Sequence, residues 1–150
     1  MIDKKDDRFL ADNIKGLMMT VLGRWNAQMD QARETTEFAA IRESDMRVFG
    51  QLRGRTLKLS ALHRELGMSR QAAQQAVARL VEHGVLQVTL AKDSKRDKVV
   101  SVTETGQELR SLAARQIRDI EAQSVEAIGV ENTAVLRDLL RQLGRQENGR

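Results

Sequence analysis

Leu59-Ser60-Ala61-Leu62-His63-Arg64-Glu65-Leu66-Gly67-Met68-Ser69-Arg70-Gln71-Ala72 is the stretch that decides the fold. Ser60 is an N-cap type ahead of Leu62 and Leu66, whose four-residue spacing places both on one helix face. Gly67 supplies a turn, and Ser69 opens a second helix two residues later. Two short helices joined this tightly, with glycine in the joint, form a helix–turn–helix. The second helix is expected to run to His83, where Gly84 ends it in the left-handed conformation. Wound at about 100° per residue, it turns Ala73, Ala76, Val77, Leu80 and Val81 inward. Gln71, Gln74, Gln75, Ala78 and Arg79 are left on the opposite face.

Outward from this unit the periodicity changes. Leu86, Val88 and Leu90 alternate with Gln87 and Thr89, and Val100 and Val102 repeat the alternation. The charged run Ala91–Asp97 between them makes a β-hairpin with a seven-residue tip. Thr103 caps a following helix whose apolar stripe is Leu109, Leu112, Ala113, Ile117 and Ile120. Gly129 interrupts it, and Leu136, Leu139, Leu140 and Leu143 give the stripe of a last helix. On the N-terminal side, Ser44 and Asp45 signal the cap of a short helix carrying Met46, Phe49 and Leu52, which ends near Gly54. Ile14, Leu17, Met18, Val21, Leu22, Trp25 and Met29 mark a long first helix, read from Arg8 to Arg33. The fold class is therefore mainly α with a small β-hairpin wing. Three regions follow: a scaffold helix over residues 1–43, a winged helix–turn–helix over 44–103, and C-terminal helices over 104–150.

Composition narrows the function. The 150 residues include no cysteine, which excludes disulfides and thiolate chemistry, and no proline. The charged N-terminus lacks the apolar stretch of a secretory signal, and no run nears ~18 apolar residues. A cytoplasmic location without a membrane span is expected. His63 and His83 stand too far apart in sequence to suggest a metal site, so no metal or cofactor is expected. No Gly-rich phosphate loop and no Ser/His/Asp set is present, so an enzyme is not expected. Net charge is +4 but unevenly spread. Residues 53–98 hold ten Lys/Arg against four Asp/Glu, whereas the remainder holds fifteen against seventeen. A basic middle third on a near-neutral scaffold is the footprint of a nucleic-acid-reading segment.

The chain resembles the MarR family of bacterial transcription regulators. The resemblance rests on Leu59–Ala72 and on Val77-Ala78-Arg79-Leu80-Val81-Glu82-His83-Gly84-Val85-Leu86, where a recognition helix runs into a wing. It rests also on Val100-Ser101-Val102-Thr103-Glu104-Thr105-Gly106, a strand leading into a Thr-capped helix. One departure stands out. Family wings often carry Asp-x-Arg near the tip, and here Arg96 is preceded by Lys95 and Ser94.

The glutamine face has a specific chemistry. A glutamine amide bonds bidentately to adenine N6 and N7, and arginine to guanine O6 and N7. Arg70, Gln71, Gln74 and Gln75 are the candidate base readers. Ser69 and Arg79 on the helix, Lys92, Lys95, Arg96 and Lys98 on the wing, and Arg53, Arg55 and Lys58 before it are candidates for the DNA backbone or minor groove. The terminal helices bear more apolar surface than one small winged helix covers, so a homodimer is expected through Phe9, Leu10, Leu136, Leu139, Leu140 and Leu143. The resemblance implies a small organic effector bound between the dimer helices and the reading head. Trp25, Met29, Phe38, Met46 and Phe49 are the candidate lining, against plain core packing as the alternative. The expected function is sequence-specific binding of a pseudo-palindromic duplex operator, as a repressor released by that effector. The competing class is a winged-helix protein-interaction module whose basic face meets an acidic partner.

Overall fold

The computed structural model describes residues 1–146. Of the region expected over residues 104–150, residues 147–150 lie outside that description. The order is α1 (Lys4–Ala11), α2 (Ile14–Arg33), α3 (Glu43–Leu52), β1 (Leu57–Lys58), α4 (Leu62–Leu66), α5 (Arg70–Glu82), β2 (Leu86–Leu90), β3 (Lys98–Val102), α6 (Glu104–Ile128) and α7 (Val130–Gly144). These fall into two compact units, divided within α6 between Ala113 and Ala114. No described helix is long and apolar enough to cross a membrane.

In the first unit, α3, α4, α5 and the sheet close around one core that includes Phe49, Leu52, Leu62, Leu80, Leu86, Val100 and Leu109. Leu62 and Leu80 are wholly buried; each such side chain contributes about 1.5–3 kcal/mol of transfer free energy. Gly84 takes the left-handed conformation expected of it, with φ 76°, and Gly67 in the joint takes it too, with φ 63°. Ser69 caps α5 as expected, its hydroxyl accepting from the Ala72 N–H at 3.1 Å. The hairpin also has the expected tip. Its strands pair antiparallel, with Leu86 opposite Val102 and Leu90 opposite Lys98. A third strand, β1, pairs Leu57 with Val100 and makes β3 central. Two residues are too few to show a period, so β1 was not anticipated. It relieves the marginality of a two-stranded wing. At the wing's base the Thr103 hydroxyl donates to the Gly84 carbonyl and accepts from the Gly106 N–H. Gly106 has no room for a Cβ, which would strike the Val85 carbonyl oxygen.

Four expectations are corrected. The first helix is two helices, because Asn13 serves both ends of a break. Its Nδ2 donates to the carbonyls of Phe9 and Leu10 at 3.0 and 2.9 Å, and its Oδ1 accepts from the Gly16 N–H at 2.9 Å. Helix α3 begins at Glu43 after Arg42, with no side-chain cap, because Asp45 is buried and engaged elsewhere. Helix α4 begins after Ala61, and Ser60 does not cap it. Val81, expected inward, is exposed at the end of α5.

In the second unit, Ile120 of α6 and Thr133 of α7 are buried. Arg137 meets Glu121 at 2.6 Å. Gly129 at φ 89° makes the expected break between the two helices.

One polar cluster ties α2 to α3. Arg33 is the buried residue of α2; its Nη1 reaches Asp30 Oδ1 at 2.9 Å and its Nη2 donates to the Ile41 carbonyl at 3.3 Å. Arg47 of α3 grips the same carboxylate, Nη1 to Oδ1 at 3.3 Å and Nη2 to Oδ2 at 2.9 Å. Burial raises the Asp30 pKa, but the hydrogen bonds from Arg47 and Arg33 outweigh it and leave the carboxyl below its ordinary value. Such a group stabilises the fold fully above its unfolded pKa, near 3.8, and loses that contribution as the pH falls through the lower folded value. Asp30→Asn is therefore expected to cost about 1–3 kcal/mol at neutral pH. Urea denaturation should show the gap between wild type and variant narrowing below pH 3.8. A gap that stayed constant to low pH would show that the ionised carboxylate contributes nothing there.

Candidate nucleic-acid interface

Helix α5 presents the face expected of it. Arg70, Gln71, Gln74, Gln75 and Ala78 are exposed, while Ala73, Ala76, Val77 and Leu80 are buried on the opposite side. Among the described residues, the side chains of Arg70 and the three glutamines make no hydrogen bond or ion pair. Their donors and acceptors are therefore free for a ligand. The N-terminus of α5 adds its unpaired backbone amides to this side.

Arg79 behaves differently from its neighbours. Its Nε and Nη2 each donate to Asp45 at 2.9 Å, a bidentate pair that spans α3 and α5. The Asp45 side chain is 1% exposed, whereas Arg79's is 33% exposed. Hydrogen bonding to Asp45 raises the Arg79 pKa above its ordinary value, against a smaller opposing effect of desolvation. Two of the nitrogens assigned to the DNA backbone are thus committed inside the fold. Asp45 is the partner of Arg79 that the sequence did not disclose. As an acid in the first turn of a helix, it has the signature of a cap.

The wing carries Lys92, Lys95, Arg96 and Lys98, all exposed and without a carboxylate partner among the described residues. Ser94 closes its tip, the hydroxyl accepting from the Arg96 and Asp97 N–H groups, both at 3.1 Å. Acceptance of backbone N–H groups is also what a carboxylate in this place would offer. Ser94 therefore closes the turn with an uncharged side chain. Lys58 stands 3.9 Å from Asp97, with both side chains mostly exposed.

The remaining candidates divide. Arg53 is exposed in the left-handed conformation that ends α3. Arg55 folds back: its Nε donates to the Leu52 carbonyl at 3.0 Å, its Nη2 to the Gln51 carbonyl at 3.1 Å, and its Nη1 lies 3.5 Å from Glu65. It satisfies carbonyls at the C-terminus of α3 that would otherwise lack partners. Arg64 on α4, not singled out from the sequence, is exposed and has no carboxylate partner among the described residues.

Of the candidate effector lining, Phe38 and Phe49 are buried in the core, and Met46 packs against it. Trp25 and Met29 are half-buried on α2. The candidate dimer residues are exposed in the single chain: Phe9 by 65%, Leu10 by 64%, Leu139 by 50% and Leu143 by 51%, with Leu136 and Leu140 near 40%. Among the described residues, no three His, Cys, Asp or Glu side chains gather in a way that would hold a metal ion.

No family model and no curated protein matches the sequence. Solved structures do match the fold. Streptococcus pneumoniae FabT in complex with DNA aligns at TM-score 0.72 and 14% identity, covering 88% of this chain and 93% of that one. Apo MarR from E. coli aligns at TM-score 0.69 and 16% identity, covering 88% and 96%. BpsR of Bordetella bronchiseptica, described for the regulation of its DNA binding by 6-hydroxynicotinic acid, aligns at TM-score 0.66 and 15% identity, covering 91% and 96%. The chain thus has the winged helix–turn–helix fold of the MarR structures.

Proposed function

We propose that this chain is a MarR-type transcription regulator that reads duplex DNA in a sequence-specific way as a homodimer. One observation carries the reading: a helix face of free amides and one arginine stands beside a wing of unpaired cations. A merely solvated helix surface more usually carries Glu and Lys pairs. Arg70, Gln71, Gln74 and Gln75 read base edges in the major groove. Ser69, Lys92, Lys95, Arg96, Lys98, Lys58 and Arg53 meet phosphates or the minor groove, with Arg64 added to them. Arg55 and Arg79 contribute by holding the reading head together.

The expected signature is a separation of contact types. Gln71→Ala or Gln75→Ala should lose discrimination at particular base pairs, by about 1–3 kcal/mol for each bidentate contact. Lys95→Ala should weaken all duplexes alike and reduce the slope of log affinity against log salt by about one. Glutamine variants that weakened every duplex equally would remove the base-reading assignment. Salt-insensitive duplex binding, with tight capture of an acidic protein, would favour the protein-interaction module instead.

The dimer is proposed on exposed apolar surface. Helix α1 has no buried residue, and α7 exposes Val130, Val135, Leu136, Leu139, Leu140 and Leu143. A two-fold axis would cover these stripes and set two α5 helices about 34–36 Å apart for a pseudo-palindromic site. Leu140→Glu is expected to sediment as a monomer and to lose specific binding, because it would bury an unpaired charge. Wild-type protein that sedimented as a monomer at micromolar concentration would overturn the dimer.

We further propose that the protein is a repressor released by a small organic acid bound beside Trp25 and Met29. The support is that both are half-buried on α2, together with the regulation described for BpsR. A ligand releases DNA only if it prefers the state that misfits DNA, and tenfold release needs about 1.4 kcal/mol of such preference. Trp25 is the one tryptophan, so a screen of organic acids can follow its emission and the affinity for DNA together. Compounds that quench Trp25 while leaving DNA binding unchanged would count against this assignment.

A further inference from the structure

Asp45 and Arg47 lie two residues apart on α3, and hence about 200° apart around it. The structure turns them to opposite flanks: Asp45 toward Arg79 of α5, and Arg47 toward Asp30 of α2. Both belong to the first half of a helix whose N-terminus has no side-chain cap. Two arginine–carboxylate pairs hold this end of α3 in place of a cap. On the α2 side the apolar burial is partial, with Trp25 and Met29 half-buried. Arg33, a member of the same cluster, is the residue that α2 buries, and the apolar stripe Ile14, Leu17, Met18, Val21 and Leu22 is exposed. The most deeply buried part of the tie between α2 and the reading head is therefore ionic, where a helix pair would ordinarily use apolar side chains. A bidentate guanidinium–carboxylate pair fixes angle as well as distance, which an apolar seam does only loosely.

We propose that Asp30–Arg47 and Asp45–Arg79 act in series as a strut that sets the placement of α5 from α2. Asp30 and Arg47 are thereby positioning residues for DNA reading, although neither lies on α5 or the wing. The proposal rests on the DNA-reading function above and extends it to residues that touch no DNA. It also gives the stripe Trp25, Met29 and Arg33, spaced by four on α2, a route to the recognition helix.

The test uses the full-length protein, a duplex enriched by the wild type from a random-sequence pool, and a random-sequence duplex. Arg47→Met is expected to lower the ratio of specific to non-specific affinity about tenfold. The salt slope should not change, since no phosphate contact is lost. Arg47→Lys keeps the charge but not the fork and should recover the ratio only in part. Leu109→Ala, a core change on α6, should lower stability without moving the ratio. A second readout needs no DNA. The Arg79 Nε–H, followed by nitrogen-15 NMR, should exchange with solvent several-fold faster in Arg47→Met and in Arg47→Lys than in wild type. An unchanged affinity ratio in folded Arg47→Met, full recovery by lysine, or an unchanged Arg79 exchange rate would each overturn the strut. If the wild type enriches no sequence, the DNA-reading function fails, and the Arg79 exchange rate still decides the coupling.

Discussion

The orientation of α5 depends on the pair between Asp45 and Arg79. Asp45 is 1% exposed, and a carboxylate taken out of water that far is tolerable only when it is paired and hydrogen-bonded. Arg79 supplies both conditions through two parallel bonds, from a position one turn beyond Gln75 at the edge of the glutamine face. The pair therefore fixes the rotation of α5 about its own axis. A turn of one residue, about 100°, would bring glutamines toward the core and alanines toward solvent. The burial of Val77 and Leu80 resists such a turn, while Ala73 and Ala76 add little because both side chains are small. The charge pair makes the error costly.

The features legible in the sequence were those that repeat or that need a particular backbone. The joint at Gly67, the end of α5 at Gly84, the cap at Ser69 and the seven-residue wing tip all belong to these classes. What remained hidden was decided by contacts between distant segments. Asn13 follows Asp12 inside an apolar period that runs on past it, and only its three hydrogen bonds show that the helix stops and restarts there. β1 has two residues and exists because β3 offers it an edge. Ser44, Asp45 and Ser60 have the composition of caps. Asp45 instead answers an arginine 34 positions away, and no local pattern carries that information.

The site was legible in the same uneven way. A count of cations treats each Lys and Arg as available, and folding withdraws some of them. Arg55 spends its guanidinium on the end of α3 and Arg79 spends its own on Asp45, while Lys92, Lys95, Arg96 and Lys98 remain free of carboxylates among the described residues. Among the described residues the free cations cluster on the wing and the free amides on α5, so the proposed function would divide phosphate contact and base contact between two elements. Ser94 closes the tip through its hydroxyl and adds no carboxylate to Asp93 and Asp97 there.

Helix α1 bears on assembly. It is eight residues long and buries none of them, and isolated helices shorter than about 12–15 residues are marginal in water. Phe9 and Leu10 find no cover among the described residues of one chain, and the second copy proposed above would supply it. The same partner would cover the exposed stripe of α2, which is also the helix that Asp30 joins to α3. A helix clamped by a second subunit on one face and by an ionic strut on another is a fixed reference for the recognition helix. Loss of either restraint would leave α5 correctly folded yet imprecisely placed, which is a loss of discrimination between sequences before it is a loss of affinity.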